Sequence, residues 1–382
     1  MIHFERLVLV VGALGLAACG TRAGLDMTGG AGQTAAGAAG AAGQSSGAAG
    51  VSATSGAAGV SGASGAAGVS AMSGAAGVNG TSGAAGIDAT AGPPGTVLAF
   101  DADTNGLGRT IYVASLGAPN CIAKLTDPAI QAKEAAFSPD GKTIAYAALV
   151  SGTYQLNLLD LASKEVKILT TLPTGATYPA FSPDGSQLAF VTGDPEINGT
   201  TQPGTSDVMV MDLAAHATRN LNTSTKVYGS PFISPAFAGA HQILTGNRLA
   251  LIGIDPTDGT TREVVPITGR IPNPQDPAPS PDGVRYAFSD FCGGTGLNLF
   301  IARIDGSTGD TCGNAVAIGA GQNLVSADWG QAGYIAAELQ GGGHGIVIVD
   351  EKTLVPTTLG AGSAGRNPAW APTGTKLALP CQ

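Results

Sequence analysis

The chain has 382 residues, of which 59 are glycine and 12% are charged, and its formal net charge is −9 at pH 7. This acidic balance argues against nucleic acid or an anionic lipid surface as an electrostatic partner. Histidine occurs at positions 3, 216, 241 and 344, far apart in sequence, so the chain offers little for metal or acid–base chemistry and we expect no cofactor.

Residues 1–19 have the pattern of an export signal. A short polar lead precedes an apolar run over 7–16, which is too short to span a bilayer as a mature helix. The run ends in Leu16-Ala17-Ala18-Cys19-Gly20, a pattern typical of a bacterial lipobox, in which the cysteine becomes the lipidated first residue. The alternative is an ordinary signal peptide with an incidental cysteine. We expect a lipid on Cys19 that attaches the protein to a membrane.

The residue after the lipobox bears on the destination of such a protein. Gly20-Thr21 lacks the aspartate that holds lipoproteins at the inner membrane of a cell with two membranes. The outer membrane or the cell surface is therefore the expected location.

Residues 20–95 consist almost entirely of glycine, alanine, serine, threonine and valine, with a nine-residue repeat that restarts at Gly56, Gly65, Gly74 and Gly83. The segment has too little apolar bulk to offset the entropy of ordering so much glycine. It lacks the unbroken glycine triplets of collagen and the regular aspartate of calcium-binding nonapeptide repeats. We interpret it as a disordered tether.

A four-residue turn signal recurs through the rest of the chain. Serine, proline, aspartate and glycine together favour a tight turn, because proline presets φ, aspartate bonds the backbone ahead of it and glycine accepts positive φ. The copies, the last of them worn, are Ser138-Pro139-Asp140-Gly141, Ser182-Pro183-Asp184-Gly185, Ser280-Pro281-Asp282-Gly283 and Ala371-Pro372-Thr373-Gly374. Each copy predicts a strand, a reversal and a second strand.

Two degenerate candidates lie between these copies, at 230–235 (Ser-Pro-Phe-Ile-Ser-Pro) and at 327–333 (Ala-Asp-Trp-Gly-Gln-Ala-Gly). With them, the turns recur about every 40 to 50 residues, the period of a four-stranded propeller blade. Apolar runs that predict two further strands follow the turns, and no amphipathic helix is evident after residue 95. The predicted fold class is therefore all-β.

The segments 136–170 and 180–194 resemble the TolB-type, WD-like β-propeller repeat, and Val208-Met209-Val210-Met211-Asp212-Leu213 resembles its third strand. The resemblance extends over 96–382. It implies a propeller in which the turn residues, including Asp140, Asp184 and Asp282, are structural rather than catalytic. The aromatic residues at the turns (Phe137, Phe181, Phe232, Trp329 and Trp370) are then expected to pack between blades.

The two ends of the domain are expected to complete one blade together, which hides otherwise open edges. Five internal turn positions and this shared blade predict six blades, whereas seven would need a further turn. Either 97–100 or 376–379 supplies the second strand of the shared blade, and the other run is surplus.

Once Cys19 is assigned to lipid, four cysteines remain, an even number that favours two disulfides in an exported protein. Cys121 and Cys381 fall in the shared blade, and Cys292 and Cys312 in the fifth when the shared blade is counted as the first. Each pair nominally joins opposite ends of a blade, so the loops must bring the Cα atoms within about 7 Å. Free or cross-paired thiols are the alternative.

Asp101-Ala102-Asp103-Thr104-Asn105-Gly106 resembles the first half of an EF-hand loop. The twelfth position is Tyr112, where calcium needs a bidentate carboxylate. We therefore expect a polar turn and no metal site, with Asp101, Asp103 and Asn105 as the weak candidates.

The expected function is non-enzymatic binding, in which the propeller face or channel mouth holds a protein or peptidoglycan-associated partner, as the resemblance implies. TolB-type proteins carry an additional N-terminal α/β domain, and this chain has its glycine-rich segment in that place, which argues against the same system. The alternatives are an enzyme acting on extracellular carbohydrate or peptide at the channel mouth, and a purely structural surface protein. Asp, Glu and His converging at the mouth would favour the enzyme, whereas an apolar or uncharged channel would favour binding.

Overall fold

The computed structural model describes residues 93–103, 106, 108–117, 121–193, 206–221, 233–246, 250–265, 274–291, 297–305, 316–318, 322–340, 345–359 and 365–377. All of them belong to one compact unit, Ala75–Gln382. Cys19, the predicted signal and residues 20–92 of the predicted tether lie outside this part of the chain. Within it, no helix is long and apolar enough to cross a membrane.

The described residues form strands and one single-turn 3₁₀ helix, Pro128–Ile130. The strands of the first half are β1 Val97–Ala102, β2 Thr110–Ser115, β3 Cys121–Lys124, β4 Lys133–Phe137, β5 Thr143–Val150, β6 Thr153–Asp160, β7 Val166–Ile168, β8 Ala176–Phe181, β9 Gln187–Thr192, β10 Val208–Asp212, β11 Ala217–Asn220 and β12 Ile233–Phe237. Those of the second half are β13 Ile243–Gly246, β14 Leu251–Ile254, β15 Thr261–Val265, β16 Gln275–Pro279, β17 Arg285–Asp290, β18 Asn298–Arg303, β19 Val316–Ile318, β20 Asn323–Trp329, β21 Tyr334–Gln340, β22 Gly345–Asp350, β23 Pro356–Leu359 and β24 Gly365–Trp370.

These strands pair into six antiparallel sheets of four, five of which follow chain order from β4 to β23. The first strands of neighbouring sheets contact one another in turn, from β4 to β8, β12, β16, β20 and β24 and back to β4. The sheets are therefore the blades of a closed propeller, which we number 1 to 6 from β4 to β24. The predicted all-β, six-bladed fold with four-stranded blades is confirmed.

Blade 6 is built from both ends of the domain, in the order β24, β1, β2, β3. Its seam pairs Leu98 with Trp370 and Ala102 with Gly365. The run that begins at Val97 is therefore the second strand, and the other candidate run is the surplus one, since Lys376 and Leu377 are not in a strand.

The core lies between blades, because a single sheet cannot cover its own apolar faces. The turn aromatics contribute to it as expected: Phe137 clusters with Ala369 of blade 6, and Trp329 with Leu299 of blade 4. Trp370 packs against Ile346 of blade 5 in the same way. Each of these rings joins a blade to its predecessor around the ring.

The turn expected at 230–235 lies farther along the chain in the structure. Pro235 lies inside β12, and the reversal comes after Phe237, where the Ala238 amide donates to the Gln242 carbonyl at 2.7 Å. The second strand of the blade is therefore β13, and the third is β14. Phe237 packs against a cluster that includes Ala189 and Val210 of blade 2, and Phe232 lies outside the described residues. A Ser-Pro pair without the following Asp-Gly does not specify a turn.

Gly330 gives a test of this inter-blade packing. A Cβ atom at this glycine would lie 2.7 Å from Cγ of Trp370. We expect Gly330→Ala to lower the free energy of unfolding by about 1–3 kcal/mol, measured by urea denaturation, because the ring of Trp370 must move. Gly330→Ala should cost less in a Trp370→Ala background, which lacks the ring, than in the wild type, and equal costs in the two backgrounds would contradict the contact.

Candidate functional site

Each blade carries one extra residue in its innermost strand. On β4, Lys133 pairs with Ala147 and Ala136 with Ala145, so three steps on β4 match two on β5. The same register shift occurs in the innermost strand of the other five blades. Such a β-bulge bends its strand and turns a side chain away from the regular alternation.

A residue with positive φ occupies every one of these bulges. None of the six is glycine, although positive φ costs free energy for other residues. We call them the axial ring: Glu134 (φ 58°), Tyr178 (55°), Ser234 (46°), Asp276 (52°), Ser326 (49°) and Asn367 (46°).

A proline follows four members of the axial ring, at positions 179, 235, 277 and 368. Proline has no N–H to give to a strand ladder, so within a sheet it is tolerated at bulges. The repeated pattern is a variable residue, proline and alanine, followed in three of the four copies by an aromatic residue, as in Tyr178-Pro179-Ala180-Phe181. This signal was present in the sequence, and the sequence reasoning missed it.

All six members of the axial ring line one pocket, the axial funnel, with a volume of about 560 Å³. The wall of the funnel continues along the innermost strands to the turns, where it includes Pro139, Pro183 and Pro281. The two tryptophans of the chain, Trp329 and Trp370, both line it. The funnel therefore opens on the face that carries the turn motifs.

The carboxylates of the axial ring hold neighbouring blades together. Glu134 Oε2 accepts a hydrogen bond from the Tyr178 amide of the next blade at 2.8 Å. Asp276 Oδ2 accepts one from the Ser326 amide at 3.1 Å. Its Oδ1 accepts one from the Ser234 hydroxyl of the preceding blade at 2.5 Å. Hydrogen bonds of this kind, to an ionised acceptor, are stronger than neutral ones and fix both carboxylates in place.

Glu134 also has a cationic partner. Lys133 Nζ lies 3.0 Å from Glu134 Oε1, and both side chains are buried. The same ammonium lies 4.6 Å from the centre of the Tyr154 ring, a cation–π contact. The ammonium also lies 6.0 Å from the centre of the Tyr178 ring of blade 2, and Lys133 is not among the residues that line the axial funnel.

Asp101, a weak metal candidate from the sequence, is fully buried in the seam of blade 6. Its carboxylate accepts hydrogen bonds from Arg109 Nε at 2.8 Å, Asn367 Nδ2 at 3.0 Å and the Glu134 amide at 3.1 Å. Asp103 accepts a long bond of 3.4 Å from the Gly108 amide, and Asn105 lies outside the described residues. Asp101 is therefore the centre of an ion-pair network that connects blade 6 to blade 1.

Two further carboxyl groups have raised pKa values. Burial, with a smaller contribution from the charge of Asp101, raises the pKa of Glu338 to about 7. Desolvation likewise raises the pKa of Asp328 to about 6, although its Oδ2 accepts a hydrogen bond from the Trp370 amide at 2.6 Å. Asp328 lines the axial funnel, whereas Glu338 faces the seam of blade 6. Within the described ranges, no three His, Cys, Asp or Glu side chains are grouped so as to hold a metal ion.

The three turn motifs share one hydrogen-bond pattern. The serine hydroxyl donates to the aspartate two residues on, at 2.7 Å for Asp140, 2.6 Å for Asp184 and 2.5 Å for Asp282. That bond is the main cause of a lowered pKa in each aspartate. The glycines that follow have φ of 68°, 72° and 69° at 141, 185 and 283. These contacts stabilise the reversal from the first strand to the second.

Cys121 begins β3. Cys292, Cys312 and Cys381 lie outside the described residues. The pairing of the four cysteines stays a prediction.

No family model matches the chain, and no curated protein matches it. Among solved structures, TolB from Acinetobacter baumannii is similar with a TM-score of 0.57 and 14% identity, over 72% of this chain and 67% of that one. A chain of a nidogen/laminin complex is similar with a TM-score of 0.55 and 10% identity, over 73% and 99%. Hydrazine synthase from Kuenenia stuttgartiensis is similar with a TM-score of 0.58 and 11% identity, over 76% and 48%. At these identities the likeness establishes a shared propeller fold.

Proposed function

We propose that this protein is a non-enzymatic binding module, in which the axial funnel receives part of a protein or cell-envelope partner. The observation that carries the proposal is the hydrogen bonding of the carboxylates in the axial funnel. Glu134 and Asp276 both accept backbone N–H groups from the following blade. Carboxylates that are hydrogen-bonded in this way can give a binding surface its shape and its charge. A general acid or base, by contrast, must exchange its proton with a substrate.

The second candidate is an enzyme that acts on extracellular carbohydrate or peptide at the funnel mouth. Asp328 favours it, because a carboxyl group with a raised pKa in a pocket is typical of a catalytic site. Against it, Asp328 is bonded to the Trp370 amide. Histidine is absent from the described lining of the funnel.

A capture experiment separates the two candidates. The full chain, immobilised through a C-terminal tag, is exposed to detergent extract of the producing cell's envelope, and bound proteins are identified by mass spectrometry. A matched column carries Ser326→Trp, which fills the funnel from a position whose hydrogen bond to Asp276 is made by its backbone amide. We expect a partner that the wild type retains and the variant loses. The binding proposal is wrong if no partner is recovered and the wild type turns over a member of a glycan or peptide panel. Loss of that turnover in Asp328→Asn would support the enzyme instead.

The location is part of the same proposal. A lipid on Cys19 would attach the chain to the outer membrane or the cell surface, and residues 20–95 would then carry the propeller on a flexible tether. A glycine-rich coil of this length has a root-mean-square span of roughly 50 Å, enough to hold the domain clear of a lipid surface. The fold shared with TolB is consistent with a cell-envelope role.

We expect Cys19→Ala to move the protein from the membrane fraction to the soluble fraction, because the lipid would be its attachment. Fractionation and immunoblotting of cells that express each form measure this. A matched control is Cys121→Ala, which leaves the lipobox intact. Retention of Cys19→Ala on membranes would show that another element anchors the chain.

A further inference from the structure

We propose that the axial funnel recognises a positively charged side chain, a lysine or arginine in an extended segment of the partner protein. This inference rests on the proposed binding function and adds the chemistry of the bound residue. The first observation is the charge of the residues that line the funnel. The described lining includes the carboxylates of Glu134, Asp276, Asp282 and Asp328, and it includes no lysine, arginine or histidine. Two cations pair with these carboxylates from outside the lining, Lys133 with Glu134 and Arg285 with Asp282.

The positions of the two ring carboxylates suit a single cation near the axis. Glu134 belongs to blade 1 and Asp276 to blade 4, so three blades separate them in either direction around the ring. They therefore lie on opposite sides of the axis. The other ring members, Tyr178, Ser234, Ser326 and Asn367, are neutral and can hydrogen-bond. Because Lys133 already pairs with Glu134, a guanidinium or ammonium group on the axis would be attracted mainly by Asp276, with Glu134 as an acceptor on the opposite side.

Both carboxylates are fixed before any ligand arrives. Backbone amides of the next blade hold Glu134 Oε2 and Asp276 Oδ2 at 2.8 and 3.1 Å. Because these partners belong to the rigid sheets, little side-chain entropy remains to be lost on binding. Preorganised acceptors of this kind favour a charged donor over water.

The wall of the funnel suits the rest of such a side chain. Above the ring it consists mainly of alanine, proline and aromatic residues, with Phe181 and Trp370 among them. The methylene stem of lysine or arginine packs on apolar surface while its charged end reaches a polar site. The combination of an apolar wall and an acidic base is complementary to these two residue types.

The occupant is a separate protein rather than the chain's own N-terminal segment. Residues 20–95 contain one basic residue, Arg22, and two aspartates, so this segment lacks the charge that the funnel attracts. A bare metal ion is also disfavoured, since the described carboxylates form no group of three. The chain as a whole is acidic, with a net charge of −9, which also steers basic partners toward it.

Tryptophan fluorescence provides a local readout, because both tryptophans of the chain line the funnel. Phage-displayed random dodecapeptides are selected on the full chain, and the winners are synthesised and titrated while this emission is recorded. We expect winners that change the emission and contain lysine or arginine. Replacing that residue by norleucine should weaken binding at least 10-fold, the loss typical when one member of a close charge pair is removed.

Variants assign the effect to the ring. Glu134→Gln with Asp276→Asn should lower the affinity for basic peptides at least 10-fold, whereas the exposed Glu263→Gln, on β15, should not. Ser326→Lys places a cation in the ring and leaves the backbone hydrogen bond of residue 326 in place. It should weaken the binding of the same peptides, and it provides the test if the double variant folds poorly. Circular dichroism checks the fold of each.

The outcomes separate this inference from the function on which it rests. Neutral or acidic winners that change tryptophan emission would overturn the cationic preference and leave the funnel as a binding site. Winners that bind without any change in emission, or no winners at all, would overturn both. Basic winners that bind the ring variants as tightly as the wild type would place the cation elsewhere in the funnel and overturn the assignment to Glu134 and Asp276.

Discussion

Replacing Asp101 by alanine is expected to lower the free energy of unfolding by about 3–5 kcal/mol, the cost typical of breaking a buried ion pair by removing one partner. Asp101 is fully buried, and its Oδ2 lies 2.7 Å from Nη2 of Arg109, whose side chain is 16% exposed. The alanine variant would leave this guanidinium without its carboxylate. Equilibrium unfolding in urea, followed by circular dichroism, measures the change.

The loss should concentrate at the seam. Asp101 accepts bonds from Asn367, on the last strand of the fold, and from the Glu134 amide, on the first strand of blade 1. Since the seam is where the two ends of the propeller domain meet, loosening it should increase hydrogen exchange at the amides of β24 and β4 more than at β9 or β17. Uniform exchange across all blades would contradict this local role.

Asp103 supplies the matched control, because it lies two residues away, is exposed, and accepts a long hydrogen bond of 3.4 Å from the Gly108 amide. Surface substitutions of this kind usually change stability by less than about 0.5 kcal/mol. If Asp103→Ala and Asp101→Ala cost the same, the network at Asp101 would not stabilise the closed ring.

The contrast between Asp101 and the turn motifs shows which parts of the molecule were predictable from sequence. Ser-Pro-Asp-Gly specifies its own geometry within a few residues, since the hydroxyl of Ser138 and the carboxylate of Asp140 are two positions apart. Repeats of such local signals gave the fold class and the number of blades. The blade that contains β12 and β13, where the sequence has Ser-Pro without Asp-Gly, is the one whose turn was predicted at the wrong position.

The axial ring depends on longer-range information. Its bulges become visible only when each innermost strand is paired with its neighbour, and its hydrogen bonds join blades, as between Glu134 and Tyr178. The bond from Asn367 to Asp101 joins residues 266 positions apart. The proline after four of the ring residues was a readable local sign of a bulge, but proline alone does not tell which residue will face the axis.

Glu338 gives the second large effect, which depends on pH. Its pKa in the folded protein is about 7, above its ordinary value of 4.5, mainly because burial disfavours the charged form. The folded state therefore binds this proton more tightly than the unfolded state. The stability that the protonated group contributes is fully present below pH 4.5 and is lost as the pH rises through about 7.

Glu338→Gln should therefore be more stable than the wild type at pH 8, where the wild-type carboxylate is charged and only 3% of the residue is exposed. The displacement of the pKa corresponds to a span of about 3 kcal/mol between pH 4 and pH 8. The glutamine is neutral throughout, so its unfolding free energy should fall by less over this range. Urea denaturation at several pH values measures both curves, and the exposed Glu263→Gln serves as the control.

The groups that face Glu338 connect this prediction to the first one. The charge of Asp101 raises the pKa of Glu338, whereas the charges of Arg366 and Arg109 lower it. Removing the Asp101 carboxylate takes away the repulsion and leaves both cations, so the pKa of Glu338 should fall in Asp101→Ala. The pH dependence of stability should then shrink in that variant, and the benefit of adding Glu338→Gln at pH 8 should shrink with it. Equal benefits in the two backgrounds would mean that Asp101 and Glu338 do not share one electrostatic network at the seam.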